Sequence, residues 1–166
     1  TNTALTQLYC ANNSISALNV SKNTELHVLI CHQNKLNTID VSNNAALTQL
    51  SCGENKIENL DVSHNRVLKT LGCNNNMLNK IDVSNNPELE TLFVYENELT
   101  ALDISHNSAL QRLSMGNNKI SELNLNANPR ITQLKCKQNQ LTNLDLSNLE
   151  KLSILDCSNN QLNSLD

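Results

Sequence analysis

LKTLGCNNNMLNKIDVSNNPE, the stretch at residues 68–88, recurs in substituted form every 21 positions along the 166-residue chain. No insertion or deletion interrupts the period. The apolar positions of the stretch, which stay apolar in the other units, are Leu68, Leu71, Cys73, Leu78, Ile81 and Val83. A period this strict predicts a solenoid, in which each 21-residue coil stacks on the coil before it. We number the coils from one to eight by their opening residue, from Leu5 to Leu152.

The alternation of apolar and polar residues around the second leucine and the cysteine is typical of a strand, so residues 49–53 and their equivalents are predicted to be strands. Neighbouring coils then pair these strands in parallel and in register at about 4.8 Å, which stacks eight coils to about 38 Å. The remaining D-V-S-x-N segment contains turn formers and leaves no room for a helix. We expect an extended or turn-like convex side.

One asparagine occupies the same position in every coil. An amide side chain carries two donors and one acceptor, which suits backbone groups left unpaired where the chain leaves the strand. The column therefore predicts a structural role and not a catalytic one. Its members, which we call the strand-exit asparagines, are Asn13, Asn34, Asn55, Asn76, Asn97, Asn118, Asn139 and Asn160.

All six cysteines lie in one inward column, where Val94 and Met115 replace them. They therefore behave as small apolar residues, and we expect buried thiols. Parallel neighbours about 4.8 Å apart exceed the usual disulfide Cβ separation of about 3.5–4.5 Å. A line of single thiols also lacks the tetrahedral arrangement that zinc requires, so no metal is expected there.

A column of aspartates begins the convex segment, and Asn19 and Asn124 substitute in it. Both residue types cap turns through an Asx bond, which is the favoured interpretation. A ladder of bridging calcium ions is the alternative that stacked carboxylates leave open. The aspartates are Asp40, Asp61, Asp82, Asp103, Asp145 and Asp166.

On these columns, the chain resembles the bacterial extracellular leucine-rich-repeat proteins with cysteine-containing 21-residue repeats, as in internalin J of Listeria and secreted Bacteroidetes proteins. The resemblance covers the whole chain. It implies a leucine-rich-repeat solenoid, a right-handed and curved horseshoe with a parallel sheet on its concave face. It also implies a role in recognition or adhesion, in a protein secreted or held at a bacterial cell surface. It brings no catalytic residues.

Composition narrows the function further. The net charge is −4, only 17% of residues are charged, and like charges do not cluster. This argues against nucleic-acid binding and against a basic membrane-binding patch. No apolar stretch approaches 18 residues, so no membrane insertion is expected. No nucleophile, base and orienting group cluster outside the repeat columns, so we expect neither an enzyme nor a cofactor. Residues 1–166 form one array that begins and ends within a repeat, which suggests a piece of a longer chain.

Residues that the repeat does not require are the ones that indicate function. The three aromatic residues of the chain, Tyr9, Phe93 and Tyr95, all fall at outward strand positions. Exposed apolar groups within a polar rim are typical of partner-binding sites. With basic residues that orient a partner, the predicted protein-binding set is Tyr9, Val28, Ile30, His32, Phe93, Tyr95, Lys135 and Lys137.

Three alternatives stay open for this surface. The same residues also suit cross-strand packing, which would make them decoration of the sheet. The chain is then a structural spacer that holds another domain away from the cell. Carbohydrate binding is the third possibility, in a trough between Gly53 and Gly72 with Phe93 or Tyr95 stacking on a sugar.

Overall fold

The computed structural model describes residues 2–165 and contains eight strands of three residues each, without a helix among them. Each strand begins 21 residues after the previous one, so seven complete turns join the eight strands. The strands are β1 Gln7–Tyr9, β2 Val28–Ile30, β3 Gln49–Ser51, β4 Thr70–Gly72, β5 Thr91–Phe93, β6 Arg112–Ser114, β7 Gln133–Lys135 and β8 Ile154–Asp156.

The strands form one parallel sheet in the order β1 to β8, and every pair is in register. Leu50 lies opposite Leu71, and Ser51 lies opposite Gly72. Parallel crossovers within one sheet are right-handed. The predicted solenoid is therefore confirmed, and we call the side-chain face of the sheet that points away from the core the concave face.

The strands are shorter than the five residues predicted. In coil three the strand ends at Ser51, although hydrogen bonding to the next coil continues, with Cys52 N–H donating to the Gly72 carbonyl at 2.8 Å. Three residues after the strand, Glu54 has a left-handed φ of 52°, and its N–H still donates to the Asn74 carbonyl of the next coil at 2.9 Å. A residue with φ between 52° and 56° occurs at this point in every coil, and it is Asn, Gln or Glu but never Gly.

The core consists of identical apolar layers, one per coil. In coil four, Leu68, Leu71, Cys73 and Leu78 are completely buried and Ile81 is 9% exposed. Each layer packs on the layers above and below it, so no coil buries its own apolar residues alone.

The strand-exit asparagines connect neighbouring coils as well as closing the bend in their own. The Asn76 Nδ2 group donates to the Cys73 carbonyl at 3.1 Å and to the Cys52 carbonyl of the preceding coil at 3.1 Å. Its Oδ1 atom accepts from the backbone N–H of Ile57, also in the preceding coil, at 2.9 Å. The predicted structural role of this column is confirmed, and the bonds between coils add to it.

The convex side consists of two consecutive turns per coil. Asn65 N–H donates to the Val62 carbonyl at 3.0 Å, and Leu68 N–H donates to the Asn65 carbonyl at 3.1 Å. Asp61 precedes these turns and its Oδ1 atom accepts from the backbone N–H of Ser63 at 2.9 Å. The same bond recurs at the other described members of the aspartate column, as the turn-capping interpretation predicts. Asp166 lies outside the described residues.

A second asparagine column is buried on the convex side, in a role that the sequence pattern did not reveal. Asn65 is completely buried, and its Nδ2 group donates to the carbonyls of Val41 at 3.1 Å and Asn44 at 2.8 Å in the preceding coil. The sequence contains a signal for this column, because its asparagines recur with the same 21-residue period as the strand-exit asparagines. The buried Oδ1 atoms without a partner belong to Asn44, Asn65, Asn86, Asn107 and Asn128.

The cysteines are free thiols in one column along the core, as predicted. Cys31, Cys52, Cys73 and Cys136 are buried, whereas Cys10 and Cys157 are partly exposed. Burial raises the pKa of the Cys73 thiol to about 12. The neutral thiol is therefore the form that the core contains, in agreement with a packing role.

Candidate functional site

The concave face carries the side chains that the core does not use. Because strand residues alternate, the residues on either side of the buried second leucine project outward, and so does the residue two positions further on. In coil five these are Thr91, Phe93 and Tyr95. Phe93 and Tyr95 are half-buried, and Tyr9 in coil one is 65% exposed. All three aromatic residues therefore lie on the predicted face.

Phe93 stands above its surroundings because its neighbours in the same column are small. It lies opposite Gly72 in β4 and Ser114 in β6. Tyr95 projects two residues further along the chain, and its hydroxyl pKa is raised by burial and then by the nearby carboxylates of Glu96 and Glu54. Together, Phe93 and Tyr95 form a ridge across the concave face, which we call the aromatic wall.

A depression of about 410 Å³ lies beside the aromatic wall, over coil six. Phe93 and Tyr95 line one side of it, and Lys135 and Lys137 of coil seven line the other. Ser114 and Gly116 form its floor. The structure thus brings together four of the eight residues predicted to bind a partner, although the sequence did not predict this depression.

The floor glycine determines where one of the lysines lies. A Cβ atom at Gly116 would approach the Lys137 Cγ atom to 3.0 Å and the Lys137 carbonyl oxygen to 3.1 Å. The absence of a side chain at Gly116 therefore lets the Lys137 stem lie against coil six. This places its methylene groups along the floor of the depression.

Neither lysine forms an ion pair with a carboxylate of the described residues. Among residues 2–165, the one ion pair within 4.0 Å joins Lys119 to Glu98, at 3.2 Å and away from this face. Asp156 lies opposite Lys135 in the sheet, but its carboxylate accepts from the Ser158 hydroxyl at 2.6 Å. That bond is the first cause of the lowered pKa of Asp156, and the charges of Lys137 and Lys135 contribute less.

Arg112 in β6 extends the positive charge along the same face. Its Nε atom donates to the Thr91 hydroxyl at 3.1 Å, and Thr91 is only 2% exposed. This bond fixes the guanidinium against the neighbouring strand. The terminal nitrogen atoms of an arginine held in this way can still donate to a carboxylate.

The other four predicted residues form a separate group on β1, β2 and the segment that follows β2. Tyr9 lies opposite Ile30, and Val28 belongs to the same strand as Ile30. The His32 Nδ1 atom lies 3.3 Å from the Ser51 hydroxyl. Three strand spacings separate Ile30 from Phe93, or about 14 Å, so the two groups do not form one continuous patch.

The trough expected between Gly53 and Gly72 is partly filled. A Cβ atom at Gly53 would meet the Asn74 Oδ1 atom at 2.8 Å, which shows that the Asn74 side chain lies over this glycine. The depression beside the aromatic wall opens on the opposite side, towards coil seven. The sequence indicated which residues face outward, but it did not indicate how Asn74 leans.

Within residues 2–165, no three side chains of His, Cys, Asp or Glu are grouped closely enough to hold a metal ion. The same residues include no helix with the length and apolar character that a membrane span requires.

Comparison with known proteins places the chain among leucine-rich-repeat structures. No protein-family model and no curated protein matches it. The domain of internalin J from Listeria monocytogenes, described as including a cysteine ladder, is 42% identical with a TM-score of 0.98, over 99% of this chain and 37% of that one. A leucine-rich-repeat protein of Leptospira interrogans is 23% identical with a TM-score of 0.90, over 98% of this chain and 45% of that one. Internalin C2 of Listeria monocytogenes is 19% identical with a TM-score of 0.89, over 97% of this chain and 74% of that one.

The two matches below 25% identity show the fold alone, whereas the internalin J domain also shares the cysteine column. The chain spans little more than a third of that domain, 37% of its length. The chain therefore belongs to the leucine-rich-repeat proteins, with 21-residue cysteine-ladder repeats similar to those of internalin J.

Proposed function

We propose that the chain is a non-catalytic recognition module that binds a protein partner through its concave face. The module acts in a bacterial protein that is secreted or displayed at the cell surface. Nucleic acid is not an expected partner, because the net charge is −4.

The aromatic wall is the observation that carries this proposal. Phe93 lies between Gly72 and Ser114 in its column, so the sheet accepts residues with no side chain or a small one at this position. Folding therefore gives no reason for a phenylalanine here. Aromatic residues beside a polar rim commonly supply most of the affinity in protein interfaces, since a few anchors carry the binding energy.

The similarity to internalin J supports the proposed location. Identity of 42% over 99% of this chain is shared with a domain from Listeria monocytogenes. The four buried thiols, Cys31, Cys52, Cys73 and Cys136, are compatible with such a location, because burial keeps them from oxidants as well as from solvent.

Removal of the aromatic wall tests the proposal. We expect Phe93→Ala with Tyr95→Ala to weaken partner capture tenfold or more, at about 1.4 kcal/mol per decade, with little change in thermal stability. The measurement is affinity capture from cell-surface extracts, quantified by mass spectrometry. A matched control is Val67→Ala with Met77→Ala, which removes two apolar side chains, 37% and 51% exposed, from outside the concave face.

Proteins retained equally by the wild type, the control and the aromatic variant would contradict the proposal. No partner at all, together with silent replacement of whole middle coils by consensus coils, would favour the spacer. The strict register of the eight strands suits such a rigid element. Binding on a glycan array that the aromatic variant loses would instead identify a carbohydrate site.

A further inference from the structure

We infer that the depression over coil six selects an acidic segment of the partner. An aspartate or glutamate of that segment contacts Lys135 and Lys137, while a neighbouring apolar side chain lies against Phe93 and Tyr95. This inference rests on the proposed function and adds the chemistry of the ligand to it.

The spacing of the two sides fits a short extended peptide. Phe93 lies opposite Ser114, and Ser114 lies opposite Lys135, so two strand spacings of about 4.8 Å separate the aromatic wall from the lysine. At about 3.3 Å per residue, three extended residues cover this distance. Ser114 and Gly116 leave the floor low enough for such a segment to enter between the two sides.

The two lysines favour an acidic ligand on the coil-seven side of the depression, which Glu96 and Asp156 also line. Lys135 and Lys137 are exposed, and no carboxylate among residues 2–165 lies within 4.0 Å of either. The Asp156 carboxylate keeps its charge beside the lysines, but it accepts from the Ser158 hydroxyl at 2.6 Å and forms an ion pair with neither lysine. A carboxylate from a partner can therefore contact two ammonium groups that form no ion pair among residues 2–165. These groups lie across the depression from the half-buried side chains of Phe93 and Tyr95, where charge interactions are stronger than in bulk water.

The same charges set the direction of the segment. Glu96 borders the depression on the side of the aromatic wall, and Glu54 lies in the same column two coils earlier. A carboxylate placed at that end would be repelled. At the coil-seven end Lys135 and Lys137 outnumber the Asp156 carboxylate, so the acidic residue points to coil seven and the apolar residue points to coil five.

Selection from a display library of random 12-residue peptides tests the inference. We expect the wild-type chain to enrich peptides with Asp or Glu within three residues of an aromatic or aliphatic residue. The charge-reversal variant Lys135→Glu with Lys137→Glu should bind the selected peptides at least tenfold more weakly. A control with the same change in net charge is Lys35→Glu with Lys56→Glu, whose lysines are exposed away from the depression and which should bind like the wild type.

Raised salt should also weaken binding to the wild type, because the contact is between opposite charges. Selected peptides without acidic enrichment, peptides bound equally by the charge-reversal variant, or a library without binders would overturn the inference. Loss of partner capture in the aromatic variant but not in the charge-reversal variant would leave the proposed function standing and refute only the acidic ligand. Retained capture in both variants would refute the proposed function itself.

Discussion

Gly53 and Gly72 occupy neighbouring coils of the concave face, but their surroundings differ. A Cβ atom at Gly72 would meet nothing closer than the Ser51 hydroxyl oxygen at 3.8 Å. A Cβ atom at Gly53 would meet the Asn74 backbone carbonyl oxygen at 2.9 Å, and a backbone atom cannot move aside as a flexible side chain can. Neither glycine has a positive φ, so space alone distinguishes the two positions.

We expect Gly72→Ala to raise the free energy of unfolding by about 0.5–1 kcal/mol, because glycine within a strand loses more conformational freedom on folding than alanine does. Gly53→Ala should lower it by about 1–3 kcal/mol through overpacking. Urea unfolding followed by circular dichroism measures both. Equal effects of the two substitutions would show that the Asn74 side chain and backbone do not lie where the structure puts them.

The strand-exit asparagines allow a second prediction at the residue scale. Asn76→Ala leaves the Ile57 N–H without its side-chain partner and removes one of the two amide donors at the Cys52 carbonyl, the other being Asn55 Nδ2. We therefore expect a loss of about 1–3 kcal/mol in the free energy of unfolding. Asn79→Ala is the control, since Asn79 is exposed in the same coil and should stay within about 0.5 kcal/mol of the wild type. Chemical denaturation of the two variants provides the comparison. Similar free energies of unfolding would show that the strand-exit asparagines do not contribute to stability.

At the scale of the element, the turns capped by aspartates make the stability of the folded chain depend on pH. The pKa of Asp61 lies below its ordinary value of 3.8 because the backbone N–H and then the hydroxyl of Ser63 bond to the carboxylate. Asp82 is lowered in the same way by Ser84. A lowered pKa means that the folded state holds the proton less tightly than the unfolded state. The contribution is therefore complete above about pH 4 and is lost as the pH falls through the folded value.

We expect the melting temperature of the wild type to fall below pH 4, and to fall less steeply in Asp61→Asn with Asp82→Asn. Asparagine keeps the turn acceptor without titrating, as Asn19 does when its Oδ1 atom accepts from Ser21 N–H at 3.0 Å. Thermal unfolding between pH 2 and pH 7 checks this. Parallel curves for the two proteins would show that other groups control the acid transition.

Sequence periodicity predicted which way each side chain points, and here the structure agrees at Leu71, Phe93 and Asn76. Periodicity did not predict how side chains of neighbouring coils pack on each other, or the local backbone conformation. Glu54, three residues after the strand in coil three, adopts a left-handed conformation that the residue type alone does not indicate. The depression over coil six arises where the Lys137 stem rests on Gly116, a contact between neighbouring coils that no pattern within one coil contains.

At the scale of the whole molecule, the register of 21 residues decides whether the columns continue. Deleting residues 68–88 joins Val67 to Leu89 and preserves every column, because one complete coil is removed. We expect this variant to fold into a shorter sheet with a smaller denaturant m-value, since m follows the surface exposed on unfolding. Deleting residues 68–87 instead shifts all later columns by one position and exchanges their inward and outward faces.

The second deletion should therefore lose cooperative unfolding over the later coils, and circular dichroism with urea titration compares the two. Similar behaviour of the two deletions would mean that the stacking tolerates a shift of register. The comparison separates the effect of register from the effect of chain length, because the two variants differ in length by a single residue.

The amides that join neighbouring coils also give the array a direction. Asn76 in coil four satisfies the Ile57 N–H and the Cys52 carbonyl in coil three, and the same relation holds along the chain. When one coil frays, the coil before it loses the caps on its backbone, whereas the coil after it keeps its own. Deuterium uptake at the Ile57 N–H should therefore report opening of coil four before opening of coil two.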